Sequence, residues 1–238
     1  MDYEKLQLIT YVALIAYIVF QMRKKCKVTT IIVTVLTMIV SITIFARIFW
    51  VLNNLNLFLT GVYQIDALFT LKLAGLKISG GLIGGVLGIL LLCKIYPQDK
   101  KIIYNTVIEG MFLAGGCGKI VCSIVGCCLG KPTNLPWAIS YPQLEEYHLH
   151  PVTIYEAITW WVGFGLLHLL KNRMANDFTR ISIAVLFYIV IRMFLLEGLY
   201  ANTPFMGTLT AKIIYFTIMA ICITVIVVNQ CKKIKIVK

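Results

Sequence analysis

Residues 29–52 read TTIIVTVLTMIVSITIFARIFWVL, and the basic cluster Arg23, Lys24, Lys25 and Lys27 stands just before them. The run exceeds the roughly 20 apolar residues that a helix needs to cross a hydrocarbon core about 30 Å thick. Six more segments of this kind follow the same reading, at about 6–22, 80–96, 103–128, 152–170, 181–199 and 208–229. Lipid offers no partner to a backbone amide, so long apolar runs at membrane depth fold as helices. A barrel would need alternating strands, and these runs are solidly apolar. Of 238 residues, 60% are hydrophobic and 13% charged, about half the usual charged share of ~25%. The expected fold is an all-α integral membrane bundle of seven transmembrane helices, one domain over residues 1–238.

The net charge of +12 suggests a nucleic-acid partner until the charges are placed. Most of them fall in four clusters: Arg23 to Lys27; Lys94, Lys100 and Lys101; Lys171, Arg173 and Arg180; and Lys232, Lys233, Lys235 and Lys238. These follow segments one, three, five and seven. Positive charge in short loops marks the cytoplasmic side, which puts the N-terminus outside and the C-terminus inside. The clusters read as topology determinants touching anionic headgroups, and no nucleic-acid partner is expected. Met1-Asp2-Tyr3-Glu4-Lys5 is no basic leader, and no cleavage site follows the first run. Two outer connections exceed a turn. Residues 53–79, with Asp66, Lys72 and Lys77, read as a re-entrant or interfacial segment. Residues 131–151 carry Pro132, Pro136, Trp137, Pro142, Glu145, Glu146, His148 and His150, with Trp137, Tyr141 and Tyr147 suited to an interfacial aromatic belt.

Ionisable residues at membrane depth are costly and mark functional sites by default. Six stand within or near apolar runs: Arg47, Glu109, Lys119, Glu156, Arg192 and Glu197; Lys212 and His168 lie nearer segment ends and snorkel or cap. The bland reading is structural ion pairing within the bundle. Against it, Arg47, Lys119 and Arg192 would repel one another unless they held an anion, and a phosphate headgroup is the obvious one. Glu156 or Glu197 would neutralise one of the three. The glycines Gly80, Gly81, Gly84 and Gly85 fit close helix packing and equally an amide-lined phosphate site at a helix start.

Eight cysteines do not read as a disulfide framework, because several stand beside basic cytoplasmic clusters, where thiols stay reduced. Cys122 and Cys127 are separated by about 140° on an ideal helix, and adjacent Cys127 and Cys128 cannot both chelate from one. A zinc site with His148 and His150 lacks paired spacing, so no metal is expected. The thiols read as small packing residues or, beside Lys119, as an activated nucleophile.

Taken in order, these residues resemble the bacterial prolipoprotein diacylglyceryl transferase family. Gly118-Lys119, Gly126 and Gly130-Lys131-Pro132-Thr133-Asn134-Leu135-Pro136-Trp137 are similar to its G-R-x-G-N-F-x-N-G-E-x-x-G-x-P-T-x-x-P-W, and His150-Pro151 with Tyr155-Glu156 to its H-P-x-x-x-Y-E. Ala46-Arg47-Ile48-Phe49-Trp50-Val51 resembles A-R-L-x-Y-V, Gly80-Gly81-Leu82-Ile83-Gly84 resembles H-G-G-L-I-G, and Arg192 to Leu199 resembles R-F-x-x-E-x-L. Ser79 stands at the family's histidine, Lys119 at its arginine, Cys122 at its asparagine and Cys127 at its glutamate. Arg192 and Glu197 are five apart where the family has four, which displaces one of them around a regular helix. Gly126-Cys127-Cys128-Leu129-Gly130 is similar to the G-C-C-x-G run of a branch of related sequences, so the chain reads as a divergent member or a paralogue.

The resemblance implies a cofactor-free enzyme of the bacterial cytoplasmic membrane. It would take the diacylglyceryl group of phosphatidylglycerol and pass it to the lipobox cysteine of a secreted preprotein. It assigns catalysis to Lys119, Cys122, Cys127, His150, Glu156, Arg192 and Glu197. Substrate binding falls to Arg47, Ser79, Gly80, Gly81, Gly126, Cys128, Gly130 and Tyr155. Within that set the cations would hold phosphate, His150, Glu156 or Glu197 would be the base, and Cys122 or Cys127 a covalent relay. The other readings are a lipid-binding or scrambling protein without chemistry, and a thiol-redox or metal-binding membrane protein.

Overall fold

The computed structural model describes residues 3–60, 78–141, 146–171, 176–201 and 209–237. Asp66, Lys72, Lys77, Pro142, Glu145, Arg173 and Lys238 lie outside the described residues, as do most of the re-entrant segment and the side chains of Ser79, Lys232, Lys233 and Lys235. Among the described residues the chain is all-α. Its helices are α1 (Tyr3–Met22), α2 (Val28–Asn53), the short α3 (Leu55–Leu59), α4 (Ile78–Ile95), α5 (Lys100–Val125), α6 (Val152–Leu170), α7 (Asp177–Val190) and α8 (Leu209–Val237). A π-helical turn, Ile191–Leu196, and a 3₁₀ turn, Glu197–Leu199, continue α7.

Seven long helices thus stand where seven apolar runs were read. Val28–Leu52, Lys100–Val125, Asp177–Leu199 and Lys212–Asn229 are long and apolar enough to cross a membrane, and Leu8–Met22 and Gly80–Ile95 are shorter apolar helices. On α2, Ile32, Leu36, Val40, Ile44, Ile48 and Leu52 are all exposed, an unbroken apolar row four residues apart. In water such a row would be an aggregation liability; against acyl chains it needs no cover. The chain is a multi-pass membrane protein.

Several boundaries differ from the expected ones, and three of the differences bear on the site or the packing. α5 ends at Val125 rather than at 128, because Gly126 adopts φ +71°. The Cys127 N–H then turns back to the Cys122 carbonyl at 3.2 Å, a glycine-terminated helix end of the Schellman kind. α7 begins four residues before the expected 181, because the Asn176 side chain accepts from the Phe178 and Thr179 amides at 2.9 and 3.4 Å, which caps it. That start puts Arg180 inside the helix, wholly buried, donating to the Leu167 carbonyl at 2.7 Å. Arg180 therefore clamps α7 to the end of α6 and does not touch headgroups as its cluster suggested. α8 runs on to Val237 past the expected 229.

The chain packs as two compact units, Met1–Met111 and Phe112–Lys238. In the first, α4 lies against α2 along a glycine row. A Cβ on Gly80 would meet the Phe45 carbonyl oxygen and, at 2.8 Å, the Ala46 Cα; one on Gly84 would meet the Ser41 backbone; one on Gly88 would reach the Ser41 Oγ at 2.6 Å. Glycines one turn apart let two backbones touch, the usual device for helix association in lipid. Glu109 is buried in this unit and accepts from the Tyr17 hydroxyl at 2.6 Å. Arg47 lies over the Trp50 ring at 4.5 Å. In the second unit, α6 and α7 pack together, Trp160 stacking on Tyr188 with ring centroids 4.2 Å apart, and α8 is tied to α7 by Asn229 and Thr179 at 2.9 Å.

Candidate functional site

The charged centre of the second unit is Glu156, on the second turn of α6 and 1% exposed. Burying a carboxylate alone is prohibitive, so it must collect donors. Lys119 of α5 reaches its Oε2 at 2.9 Å, and the Arg192 Nε lies at 3.6 Å. The Tyr188 hydroxyl donates to Oε1 at 2.9 Å, and the Tyr200 hydroxyl makes a short bond to Oε2. Arg192 also pairs with Glu197, Nη1 to Oε2 at 2.5 Å. The guanidinium and the ammonium both lie over the Tyr200 ring, at 4.5 and 5.9 Å. Burial and the adjacent carboxylate push the Tyr200 phenol well above its ordinary value, so it stays protonated and donates.

Four of the six singled-out ionisable residues therefore meet. Their charges balance, two cations against two carboxylates, so the expected repulsion among unpaired cations does not arise within this unit. Arg47 and Glu109 belong to the other unit. Donors nevertheless remain: among the described residues, the Arg192 Nη2 and two of the three Lys119 hydrogens have no protein acceptor. Glu197 likewise keeps its Oε1 clear. Both Glu156 oxygens already accept, Oε1 from Tyr188 and Oε2 from Lys119 and Tyr200.

The five-residue spacing of Arg192 and Glu197 does not displace either one. The segment between them is π-helical, and the Glu197 amide bonds the Arg192 carbonyl across five residues. A π turn winds more residues per revolution than an α turn, so the extra residue is absorbed and the pair still faces one way. The displacement expected from the sequence assumed a regular helix.

A bridged loop holds the outer end of this arrangement. Gly130 pairs with Tyr200 and Pro132 with Leu149. The Lys131 amide bonds the Leu199 carbonyl at 2.8 Å, and the Ala201 amide bonds that of Leu129 at 3.0 Å. These bonds fix Tyr200 beneath the loop. Gly130 is required because a Cβ there would strike the His150 backbone. Gly126 serves the turn and packs under Tyr141, 2.9 Å from where a Cβ would stand. Tyr155 accepts from the Trp137 indole at 2.6 Å. His150 lies edge-on to the Tyr155 ring; its Nδ1 is buried with no partner among the described residues, and it makes no bond there to Glu156, Lys119 or Arg192. Gly80 is occupied by packing against α2, and a Cβ on Gly81 would meet Ile42 at 3.4 Å. Close packing accounts for Gly80, whereas at Gly81 a Cβ would make only an ordinary contact.

Cys122, Cys127 and Cys128 also converge, their sulfurs all within 4.8 Å of one another. The helical-wheel separation expected for Cys122 and Cys127 fails because the helix has ended between them. Cys128 packs against Val152, Leu196 and Tyr200. Tyr188 and Tyr200 are the residues that the sequence reading missed. Tyr188 precedes Arg192 by one turn, a spacing that shares a helix face and was a usable signal; Tyr200 offered none, because the loop bonds that place it are long-range.

Residues 6–229 match the family described as prolipoprotein diacylglyceryl transferase. The chain belongs to that family. Three similar relatives carry the name phosphatidylglycerol–prolipoprotein diacylglyceryl transferase. One from Clostridioides difficile (strain 630) is 32% identical over 164 residues, covering 69% of this chain and 63% of its own. One from Clostridium tetani (strain Massachusetts / E88) is 38% identical over 88 residues, 35% of each chain. One from Prochlorococcus marinus (strain MIT 9312) is 29% identical over 168 residues, 66% of this chain and 56% of its own. The chain spans between about a third and just under two thirds of these relatives' lengths. Lys119, Glu156, Arg192 and Glu197 stand at or beside positions of the family motifs read from the sequence.

Proposed function

We propose that this family member is a transferase that takes the diacylglyceryl group of phosphatidylglycerol and joins it to a thiol, as the names of its relatives state for them. The observation that carries the reading is the buried network of Lys119, Glu156, Arg192 and Glu197, with N–H groups left over for an anion, within a chain matched to the family over most of its length. The acceptor sulfur forms a bond to the glyceryl carbon as the carbon–oxygen bond to phosphate breaks. The electron pair leaves on the phosphate oxygen as glycerol phosphate, and the thiol proton passes to a base. The spare donors of Arg192 and Lys119 meet the charge growing on the leaving oxygen, where preorganised donors act most strongly. Glu156 anchors both cations and is too fully bonded to be the base. Glu197, with one oxygen clear, is better suited to take the proton.

The acceptor is the lipobox cysteine of a secreted preprotein, and the membrane is the bacterial cytoplasmic one with the N-terminus outside. The four basic clusters support that orientation. Purified protein in phosphatidylglycerol vesicles, given a lipobox peptide, should release glycerol phosphate and lipidate the cysteine. Retention of the lipid without release, with peptide present, would instead support a non-catalytic phospholipid binder. The internal charge balance of the network is the observation that favours that second reading.

A further inference from the structure

The proposed transfer step makes and breaks no bond at Cys122, Cys127 or Cys128. Their spacing, C-x4-C-C, would scatter the three side chains around a continuous helix, so the geometry of the cluster depends on where α5 stops. Gly126 at φ +71° ends the helix and reverses the chain. The Cys122 carbonyl then accepts both the Gly126 and Cys127 amides, at 3.0 and 3.2 Å, which folds the next two residues back over Cys122. The Cys127 Sγ stands 3.7 Å from that same carbonyl oxygen and 3.9 Å from the Cys128 Sγ. All three sulfurs lie within 4.8 Å of one another.

These separations discriminate among thiol roles. Zinc–thiolate bonds of about 2.3 Å put tetrahedral sulfurs roughly 3.8 Å apart. One pair already has that spacing, and the others need to close by no more than about 1 Å. A disulfide needs sulfurs at about 2.05 Å, far inside the observed separation, and would leave one thiol of the three over. Packing alone does not explain the cluster, because Cys127 is exposed while Cys122 and Cys128 are half-buried. That gradient leaves an approach for an ion and a fourth position open to solvent. Three thiolates around a divalent ion carry one net negative charge. Lys119 lies within electrostatic reach of Cys122 and Cys128, and Arg192 of Cys128, which suits an anionic complex.

We propose that Cys122, Cys127 and Cys128 bind zinc(II) as a three-thiolate site with water in the fourth position. Three thiols lose their protons to solvent as the three Zn–S bonds form, and nothing is oxidised or reduced. Zinc has no directional demand from its d electrons and favours sulfur, which matches a set whose geometry comes from a helix end. The site stands independently of the transferase reading, because binding is measured without lipid or acceptor.

The test uses full-length protein in detergent, reduced and stripped of metal, titrated with cobalt(II) as a spectroscopic probe. One equivalent should produce a strong sulfur-to-cobalt charge-transfer band with tetrahedral ligand-field absorption, and one equivalent of zinc should bleach both. Cys122→Ser, Cys127→Ser and Cys128→Ser should each lose or sharply weaken the band, while Cys117→Ser and Cys222→Ser keep it. If the serine variants fail to fold, alkylation of the wild type decides the matter. Zinc should protect these three cysteines and leave Cys231 reactive. A wild-type protein that takes up cobalt with no charge-transfer band, or whose three thiols alkylate equally with and without zinc, overturns the proposal. Recovery of a disulfide within the cluster from protein purified without reductant overturns it as well.

Discussion

The two units solve the same problem, packing helices without the hydrophobic effect, with a different balance of materials. In Met1–Met111, α2 and α4 meet through Gly80, Gly84 and Gly88, where nothing larger than hydrogen fits against the opposing backbone. In Phe112–Lys238, α5, α6 and the end of α7 meet through charge, four donors (Lys119, Arg192, Tyr188 and Tyr200) converging on the buried Glu156 carboxylate. Dispersion between close backbones is cheap and carries no chemistry. A buried ion network costs desolvation and is weak evidence for stability. Gly115 against Trp160 and Gly163 against Phe112 already bring α5 and α6 close in this unit, so the network adds charge to a contact that packing alone supports, and the proposed transfer gives that charge a use.

The comparison can be broken most severely at Gly84. Gly84→Leu should abolish recovery of monodisperse protein from detergent, because its side chain would start inside the Ser41 backbone; normal yield and melting temperature would mean that the α2–α4 contact is not as close as described. Glu156→Gln comes next. Removing the charge leaves Lys119 and Arg192 sharing a neutral amide, at a cost of about 3–5 kcal/mol, read as a large drop in the temperature of half-aggregation. An unchanged midpoint would show that the network does not hold the helices together. Tyr200→Phe removes a single donor from Glu156 and keeps the ring beneath both cations. The expected loss is about 1–3 kcal/mol, read as a smaller drop in the same temperature; an unchanged midpoint would show that the hydroxyl bond contributes nothing to the network.

The smallest effect sharpens the comparison instead. Deleting Leu195 restores four-residue spacing between the arginine and the glutamate, and the π turn should relax to an α turn with the ion pair intact. Activity within about tenfold of wild type is expected, a barrier change near 1.4 kcal/mol. Loss of activity, with Leu195→Ala still active, would show that the π turn positions the pair in a way an α turn cannot.

Much of the fold was legible because membrane helices announce themselves by length and apolarity, and all seven long helices coincide with a run read from the sequence. The ends were less legible. Asn176 starts α7 and Gly126 stops α5 through single side-chain and backbone preferences that hydropathy does not register. In the site, Lys119, Glu156, Arg192 and Glu197 were visible as charges at improbable depth. Neutralisation of one cation by Glu156 or Glu197 was legible too, but the pairing of both Lys119 and Arg192 with Glu156 was not, since it depends on contacts between α5, α6 and the end of α7. Gly80 carried two readings that only the opposing helix separates, in favour of packing. The cysteines misled because an ideal helix was extended three residues past its actual end.

The account rests on Arg192 and Lys119 using their remaining hydrogens on a phosphate. The most direct measurement is glycerol phosphate release from headgroup-labelled phosphatidylglycerol by Lys119→Ala and Arg192→Ala proteins that still insert and elute as the wild type does. Release no faster than from protein-free vesicles is the predicted result for both variants, beside clear turnover by the wild type. Wild-type rates in both variants would contradict it.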